Sequence, residues 1–184
     1  DKKFIAEFPG RTMTVHSTEQ PVRDAYAIST NMHLTIPLKE EVGIYTGKTR
    51  SLEDIKKIVA QKRAIQQKRA DGYGKLSEAF TAMKTALAWN TIYDAPNHRA
   101  ITTVSRSWSR GARGFVLFEW DTYFASYMWA MFNKDLAYMN AVEMTKAITP
   151  SGFVPNYQTP FGQTSWDRSQ PPVGSTIIFQ IYKR

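Results

Sequence analysis

The chain has 184 residues, of which 42% are hydrophobic, 13% aromatic and 22% charged. This composition is typical of a chain that buries a core, and it excludes collagen-like, low-complexity and wholly disordered polypeptides. The absence of cysteine excludes disulfides, thiolate metal ligands and cysteine nucleophiles. No apolar stretch approaches the about 20 residues that a membrane-spanning helix needs.

The net charge of +8 is concentrated in one segment. Nine basic and three acidic residues lie between Lys48 and Lys75, which places +6 of the total charge there. All five tryptophans lie C-terminal to this segment. Proteins that bind single-stranded nucleic acid interleave basic and aromatic side chains, so this separation argues against nucleic acid as a partner.

Residues 1–50 predict β-strands joined by turns. Runs rich in Thr, Val, Ile and Phe are interrupted by Pro and Gly, and the strongest strand patterns lie at residues 4–8, 12–16 and 42–45. Three or four strands make a poor independent domain, because a β-sandwich usually has about seven. We therefore interpret this segment as the β-rich tail of a preceding domain.

Residues 51–75 predict a basic linker helix. Ser51 and Asp54 have the spacing of a capping box, and apolar residues follow on one narrow stripe until Gly72. The basic residues occupy the other faces of this helix. A solvated face explains them better than a nucleic-acid site, because no known binding motif accompanies them.

Residues 76–184 predict a mainly helical region. Apolar residues repeat at helical spacing from Leu76, and we expect this helix to continue through Tyr93. Residues 121–132 are almost all apolar or aromatic, so a helix there should be buried on every side. Residues 134–147 predict a further helix, whose inward-facing side chains would be Leu136, Met139, Val142 and Met144.

A long loop and a last helix complete the predicted elements. The loop covers residues 153–170, and Pro171 and Pro172 are well placed to begin a helix. Residues 175–179 have strand propensity, and the proline start favours helix over strand there.

Metal and nucleotide sites are not supported by the sequence. The three histidines, His16, His33 and His98, are far apart in the sequence, which does not favour a histidine-based metal site. Residues 111–114 (GARG) lack the lysine of a phosphate loop and the dinucleotide-binding pattern. The sequence therefore predicts no metal and no other cofactor.

Three segments combine polar groups with aromatic rings. They are residues 118–124 (FEWDTYF), 153–157 (FVPNY) and 166–172 (WDRSQPP). Sugars present apolar CH faces and hydroxyls, so a sugar site needs an aromatic wall with carboxylate, amide and guanidinium groups. Taken singly, Trp120 fits core packing and Asp121 fits a helix N-cap, but the combination favours a carbohydrate site.

Together these segments resemble glycoside hydrolase family 63, especially its bacterial members, and more distantly the family 37 trehalases. The resemblance covers residues 76–184 in consistent order and includes residues 88–93 and 104–108. It implies a mainly α fold, with a β-sandwich tail and a linker helix preceding the start of an (α/α)6 toroid. Bacterial relatives with this domain order are often periplasmic or secreted, and a cytoplasmic location stays open.

The resemblance also implies an activity, the inverting hydrolysis of α-glycosidic, and in particular α-glucosidic, bonds in oligosaccharides. Such enzymes hold a general acid and a general base about 6.5–9.5 Å apart. In the family both carboxylates lie well C-terminal to the RSQPP motif, so we expect them beyond Arg184. We therefore expect this chain to be part of a longer enzyme and to be inactive alone. Its expected partners are an oligosaccharide and the rest of its own polypeptide, without nucleic acid or membrane.

The resemblance assigns sugar-binding roles residue by residue. Trp120 would form the aromatic wall of the subsite that holds the released sugar, and Asp121 would hydrogen-bond its hydroxyls. Asn156, Arg168 and Gln170 are similar to the polar residues around the same sugar in trehalases. Arg113 would correspond to another sugar-binding arginine, although the GFVL stretch that follows it departs from the trehalase pattern.

Two other functions remain as alternatives. A non-catalytic carbohydrate-binding module would use the same aromatic and polar residues and would bind sugar without the rest of an enzyme. A basic interaction protein would act through residues 48–75, and its binding to nucleic acid would fall steeply with salt.

Overall fold

The computed structural model describes residues 2–24, 33–38, 40–94, 97–107 and 114–184. Within them lie five α-helices, one short 3-10 helix and seven strands in three separate antiparallel sheets. The chain divides into two compact units, Asp1–Gly72 and Tyr73–Arg184. None of the described helices is both long enough and apolar enough to cross a membrane.

The predicted fold class is wrong. The structure is mixed α/β: 42% of the described residues are helical and 19% are in strands, and they do not form a toroid of many helical hairpins. The toroid was implied by the resemblance, whereas the mainly helical expectation came from apolar periodicity, which did not detect the strands of two to four residues within residues 76–184. Two of the three sheets lie in the region for which the sequence predicted only helices and a loop.

The first unit contains a three-stranded sheet. Strands β1 (Lys3–Phe8) and β2 (Arg11–Ser17) form a hairpin, and Gly10 adopts the positive φ that its turn requires. Strand β3 (Ile44–Thr46) pairs antiparallel with β2. The three strands predicted from the sequence are confirmed, although the third begins two residues later than expected.

The same unit contains helix α1 (Leu52–Asp71). Its first turn has the predicted capping box, in which the Asp54 backbone N–H donates to Ser51 Oγ at 3.1 Å and the Ser51 N–H donates to the Asp54 carboxylate at 3.2 Å. These bonds satisfy backbone donors that have no partner within the helix. The predicted linker helix is therefore confirmed as a helix.

The second unit alternates helices with short strands. Helix α2 ends at Asn90, earlier than predicted, because the next residues pair with a second strand and place Ile92 opposite Ile101. The elements, in chain order, are α2 (Ser77–Asn90), β4 (Thr91–Asp94), β5 (Arg99–Thr102), β6 (Leu117–Phe118), α3 (Glu119–Trp129), α4 (Lys134–Thr145), β7 (Tyr157–Gln158) and α5 (Gly174–Lys183). The predicted last helix is confirmed.

Helices α3, α4 and α5 surround the main apolar core of this unit. Trp129, Met144 and Ile181 are buried there, and Leu87 of α2 packs against the same cluster. Helix α3 is not buried on every side as predicted, because Phe124 is exposed. This exposed side of α3 contributes to the candidate site.

Helix α4 buries polar side chains where apolar ones were expected. Met139 and Val142 are exposed, whereas Asn140 and Glu143 are buried. The Oδ1 atom of Asn140 accepts the backbone N–H of Thr102 at 2.6 Å. Thr102 lies on β5, so the burial of Asn140 could not be anticipated from the pattern of α4 itself.

Candidate functional site

The three sequence segments that predicted a sugar site come together at the N-terminus of α3. Strand β6 pairs with β7, which places Phe118 opposite Tyr157. The Glu119 N–H donates to the Asn156 carbonyl at 3.0 Å, and the Asn156 N–H donates to the Arg168 carbonyl at 3.0 Å. Backbone hydrogen bonds therefore hold residues about 50 positions apart in one place.

The loop that contains Arg168 is ordered by a buried serine. Ser165 Oγ accepts the backbone N–H of Tyr157 at 3.2 Å and donates to the Arg168 carbonyl at 3.4 Å. Ser165 is itself buried. This hydroxyl therefore connects β7 to the Arg-Ser-Gln segment (residues 168–170) and helps to fix that segment next to α3.

Glu119 is the buried carboxylate at the centre of this arrangement. Only 2% of its surface is exposed. Its Oε2 accepts the backbone N–H of Gln170 at 2.9 Å and the hydroxyl of Ser169 at 3.3 Å. A second hydrogen bond joins the same two segments, because Gln170 Oε1 accepts the backbone N–H of Trp120 at 2.8 Å.

The environment of Glu119 changes its acidity. Burial raises the pKa of this carboxyl above its ordinary value, and the hydrogen bonds from Gln170 and Ser169 offset part of that effect. The carboxylate also lies in the first turn of α3, where the helix dipole favours negative charge. The Ser169 hydroxyl and the Gln170 N–H both donate to the same carboxylate oxygen, Oε2.

Trp120 and Phe124 form an aromatic surface on α3. Their ring centroids are 6.2 Å apart at an interplanar angle of 48°, and 37% and 43% of the two residues are exposed. Two further aromatic residues, Phe161 and Trp166, are strongly exposed in the loop that contains the second and third segments. Exposed rings of this kind can stack on the CH face of a sugar.

Asp121 lies beside a cleft between α2, the end of β5 and α3. The cleft has a volume of about 290 Å³ and is lined mainly by apolar side chains, with Asn90, Thr102 and Thr103 as further polar residues. Asp121 is not the N-cap of α3, because the helix begins at Glu119 and Phe118 occupies the cap position. Phe118 itself makes no side-chain capping hydrogen bond.

The remaining predicted site residues differ in their settings. Arg168 is exposed, and its guanidinium lies 3.3 Å from the carboxylate of its neighbour Asp167. Asn156 and Gln170 are partly buried. Arg113 lies outside the described residues. The structure thus brings Trp120 close to Gln170 by a direct hydrogen bond and connects Asn156 to the same loop.

The sequence did not assign a role to two residues of this site. Glu119 and Ser169 lie inside the quoted motifs, but nothing in their own positions shows that they contact each other. An acidic residue next to an apolar strand end is the only signal that points to burial of Glu119. Among the described residues, no group of three or more His, Cys, Asp or Glu side chains could hold a metal ion.

Comparison with known proteins adds no further assignment. No family model, no curated protein and no solved structure matches this chain. The functional argument therefore rests on the residues and geometry of the site.

Proposed function

We propose that this chain supplies the sugar-binding residues of an inverting glycoside hydrolase that cleaves α-glycosidic, in particular α-glucosidic, bonds in oligosaccharides. The observation that supports it is the convergence of three distant polar and aromatic segments at the N-terminus of α3, where Gln170 contacts the backbone of Trp120 directly. Non-local convergence of such residues is the usual construction of a ligand site.

The chemistry of these side chains suits a sugar. The exposed ring of Trp120 provides an apolar surface for CH groups, and the carboxylate of Asp121 provides acceptors for adjacent hydroxyls. The guanidinium of Arg168 provides donors in a fixed planar arrangement. Together these groups would bind and orient one sugar ring.

The proposal assigns neither the general acid nor the general base to this chain. Glu119 is enclosed, and its carboxylate is occupied by donors from Ser169 and Gln170, so it is poorly placed to transfer a proton to substrate. In an inverting mechanism one carboxyl protonates the leaving oxygen while the other activates water. The residues here would contribute by holding the sugar in position for that attack.

A substitution of Asp121 tests this proposal. In the polypeptide that carries this chain together with the acid and base, Asp121→Ala should lower kcat/KM for an α-glucoside by about tenfold or more, because a charge-assisted hydrogen bond to the sugar is lost. Asp135→Ala is the matched control, since Asp135 is an exposed acid in the first turn of α4. Equal activity of Asp121→Ala and the control would contradict the proposed role.

A non-catalytic carbohydrate-binding module is the second candidate. The exposure of Trp120 and Phe124 favours it, because a binding module needs only an accessible aromatic surface with polar neighbours. It predicts that the 184-residue chain binds a gluco-oligosaccharide in a fluorescence titration and that no polypeptide containing it hydrolyses one. Hydrolysis that depends on Asp121 would exclude this alternative.

A further inference from the structure

We propose that Glu119 is a positioning residue of the sugar site, whose buried carboxylate fixes the Ser169–Gln170 segment against the first turn of α3. This inference rests on the proposed function, because the groups that it positions are the sugar-binding side chains. Glu119 itself does not contact the sugar. Its role is to set the spacing between the side chains of α3 and those of the loop.

The geometry is a reciprocal pair of contacts, which we call the clasp. Glu119 of α3 accepts the backbone N–H of Gln170 through its side chain at 2.9 Å, and Gln170 accepts the backbone N–H of Trp120 through its own side chain at 2.8 Å. Each partner therefore uses a side chain to hold the other's backbone. The hydroxyl of Ser169 adds a third contact to the same carboxylate at 3.3 Å.

The clasp determines the orientation of the Gln170 amide. A backbone N–H can only donate, so the atom of Gln170 that faces Trp120 is the carbonyl oxygen. The amide nitrogen is then the group that Gln170 can offer to a ligand, and it carries two donors. The matching ligand atom is an acceptor, such as the oxygen of a sugar hydroxyl.

A carboxylate at this position is not needed for packing. Burial of a charged group is costly unless hydrogen bonds compensate, and Glu119 receives two. An apolar side chain of similar volume would fill the space but would leave the Gln170 N–H without its acceptor. The segment that carries Arg168, Ser169 and Gln170 would then lose the two hydrogen bonds to Glu119 and keep the one from the Trp120 N–H to Gln170 Oε1.

Two substitutions separate the hydrogen-bonding role of Glu119 from its packing role. Glu119→Gln keeps an acceptor oxygen, and Glu119→Met keeps the volume but removes the acceptor. In a tryptophan-fluorescence titration with maltotriose, we expect Glu119→Met to raise the Kd about tenfold and Glu119→Gln to remain within about threefold of wild type. Glu143→Met is the matched control, because it removes another buried glutamate from a different network.

Amide hydrogen exchange tests the clasp without sugar. We expect the backbone amides of Trp120 and Gln170 to exchange faster in Glu119→Met than in Glu143→Met, as measured by 15N NMR. Should Glu119→Met fail to fold, Ser169→Ala tests the same carboxylate more gently, and we expect a smaller rise in both exchange rate and Kd.

The outcomes separate this inference from the proposed function. If wild type binds maltotriose and Glu119→Met binds it equally tightly, the positioning role is overturned and the sugar site stands. If the 184-residue wild type does not bind maltotriose, the comparison is made in the polypeptide that also carries the acid and base. Failure of that polypeptide to hydrolyse maltotriose would overturn the sugar site together with this role, and equal kcat/KM for wild type and Glu119→Met would overturn the positioning role alone. Tight binding by Glu119→Gln with weak binding by Glu119→Met supports the inference.

Discussion

Asn140 makes the central polar contact of the second unit. It is fully buried, its Oδ1 accepts the Thr102 N–H at 2.6 Å, and its Nδ2 donates to the Leu136 carbonyl at 2.8 Å. The hydroxyl of Thr102 also accepts the indole N–H of Trp129 at 2.7 Å. A single residue thus connects β5 to α4 next to the contact between β5 and α3.

Asn140→Ala should therefore be destabilising. It leaves the buried Thr102 N–H without an acceptor, which costs about 1–3 kcal/mol, and we expect the free energy of unfolding in urea to fall by that amount. Gln163→Ala is the control, because Gln163 is exposed and its loss should change the free energy by less than about 0.5 kcal/mol. Equal unfolding midpoints for the two variants would show that the Asn140 contact is not stabilising.

At the level of residues, the sequence named candidate site residues but did not predict which polar side chains are buried. Residue type and motif order pointed to Trp120, Asp121 and Gln170, and the structure joins Trp120 to Gln170. The burial of Glu119 and Asn140 could not be predicted, because each depends on a partner more than 35 residues away. Such partners leave no trace in the local pattern.

A buried ion network joins the β4–β5 hairpin to α4. Arg99 lies 2.7 Å from Asp94 and 2.9 Å from Glu143, and little of any of these side chains is exposed. Burial alone would raise the pKa of Glu143, but hydrogen bonds from Lys146 and Arg99 together hold it below its ordinary value of 4.5. Burial is likewise outweighed at Asp94, where bonds from Asn97 and Arg99 lower the pKa.

This network predicts how the free energy of unfolding changes at acid pH. A carboxyl with a lowered pKa in the folded state stabilises the protein above its unfolded pKa, and that contribution is lost as the pH falls through the folded pKa. We expect stability to decrease as the pH falls below 4.5, the ordinary value for Glu143. Glu143→Gln should cost about 1.5–3 kcal/mol at pH 7 and should make the profile below pH 4.5 flatter. Urea unfolding across this pH range measures both effects.

Glu119 should affect the pH dependence of stability in the opposite direction to Glu143. The pKa of Glu119 is raised in the folded state. Its contribution to the free energy of unfolding is therefore fully present below the pKa of the unfolded state and is lost as the pH rises through the folded pKa. Glu119→Gln should therefore flatten the profile above pH 4.5, the ordinary value for this carboxyl, and should leave the acid side unchanged. Identical profiles for Glu119→Gln and Glu143→Gln would contradict these two assignments.

At the level of elements, the helices were predictable and the short strands of the second unit were not. The capping box of Ser51 and the prolines at 171 and 172 are local signals. Helix α1 begins directly after Ser51, and the last helix begins two residues after Pro172 instead of at the prolines. Strand β6 has two residues, and its partner β7 lies about 40 residues further along the chain. Pairing of this kind depends on the tertiary structure, so the region between α2 and α3 was not recognised as β.

At the level of the whole molecule, the toroid was predicted from a resemblance rather than from the chain's own periodicity. The motifs of residues 118–124 and 166–172 do come together, but they do so through the β6–β7 pair and backbone contacts between loops. Helices α3, α4 and α5 bury a shared core beside these sheets. Motif order therefore predicted the meeting of the segments and failed to predict the architecture that carries them.

The distribution of tryptophan permits a separate measurement of each compact unit. All five tryptophans, at positions 89, 108, 120, 129 and 166, fall within the range of the second unit, Tyr73–Arg184. Tryptophan fluorescence therefore follows unfolding of that unit, whereas far-UV circular dichroism also includes α1 and the three-stranded sheet. The two probes need not give the same transition.

Ile181→Ala and Ile65→Ala make a matched pair for this measurement. Ile181 is fully buried in the core around α3, α4 and α5, so its truncation should lower the free energy of unfolding reported by fluorescence by about 2–5 kcal/mol. Ile65 is 52% exposed on α1 of the first unit, and its truncation should leave the fluorescence transition within about 0.5 kcal/mol of wild type. A fluorescence transition that moves equally in both variants would mean that the tryptophan signal does not report on the second unit alone. Movement in Ile181→Ala only would show that the apolar cluster of α3, α4 and α5 is what holds that unit, and with it the candidate site, in its folded form.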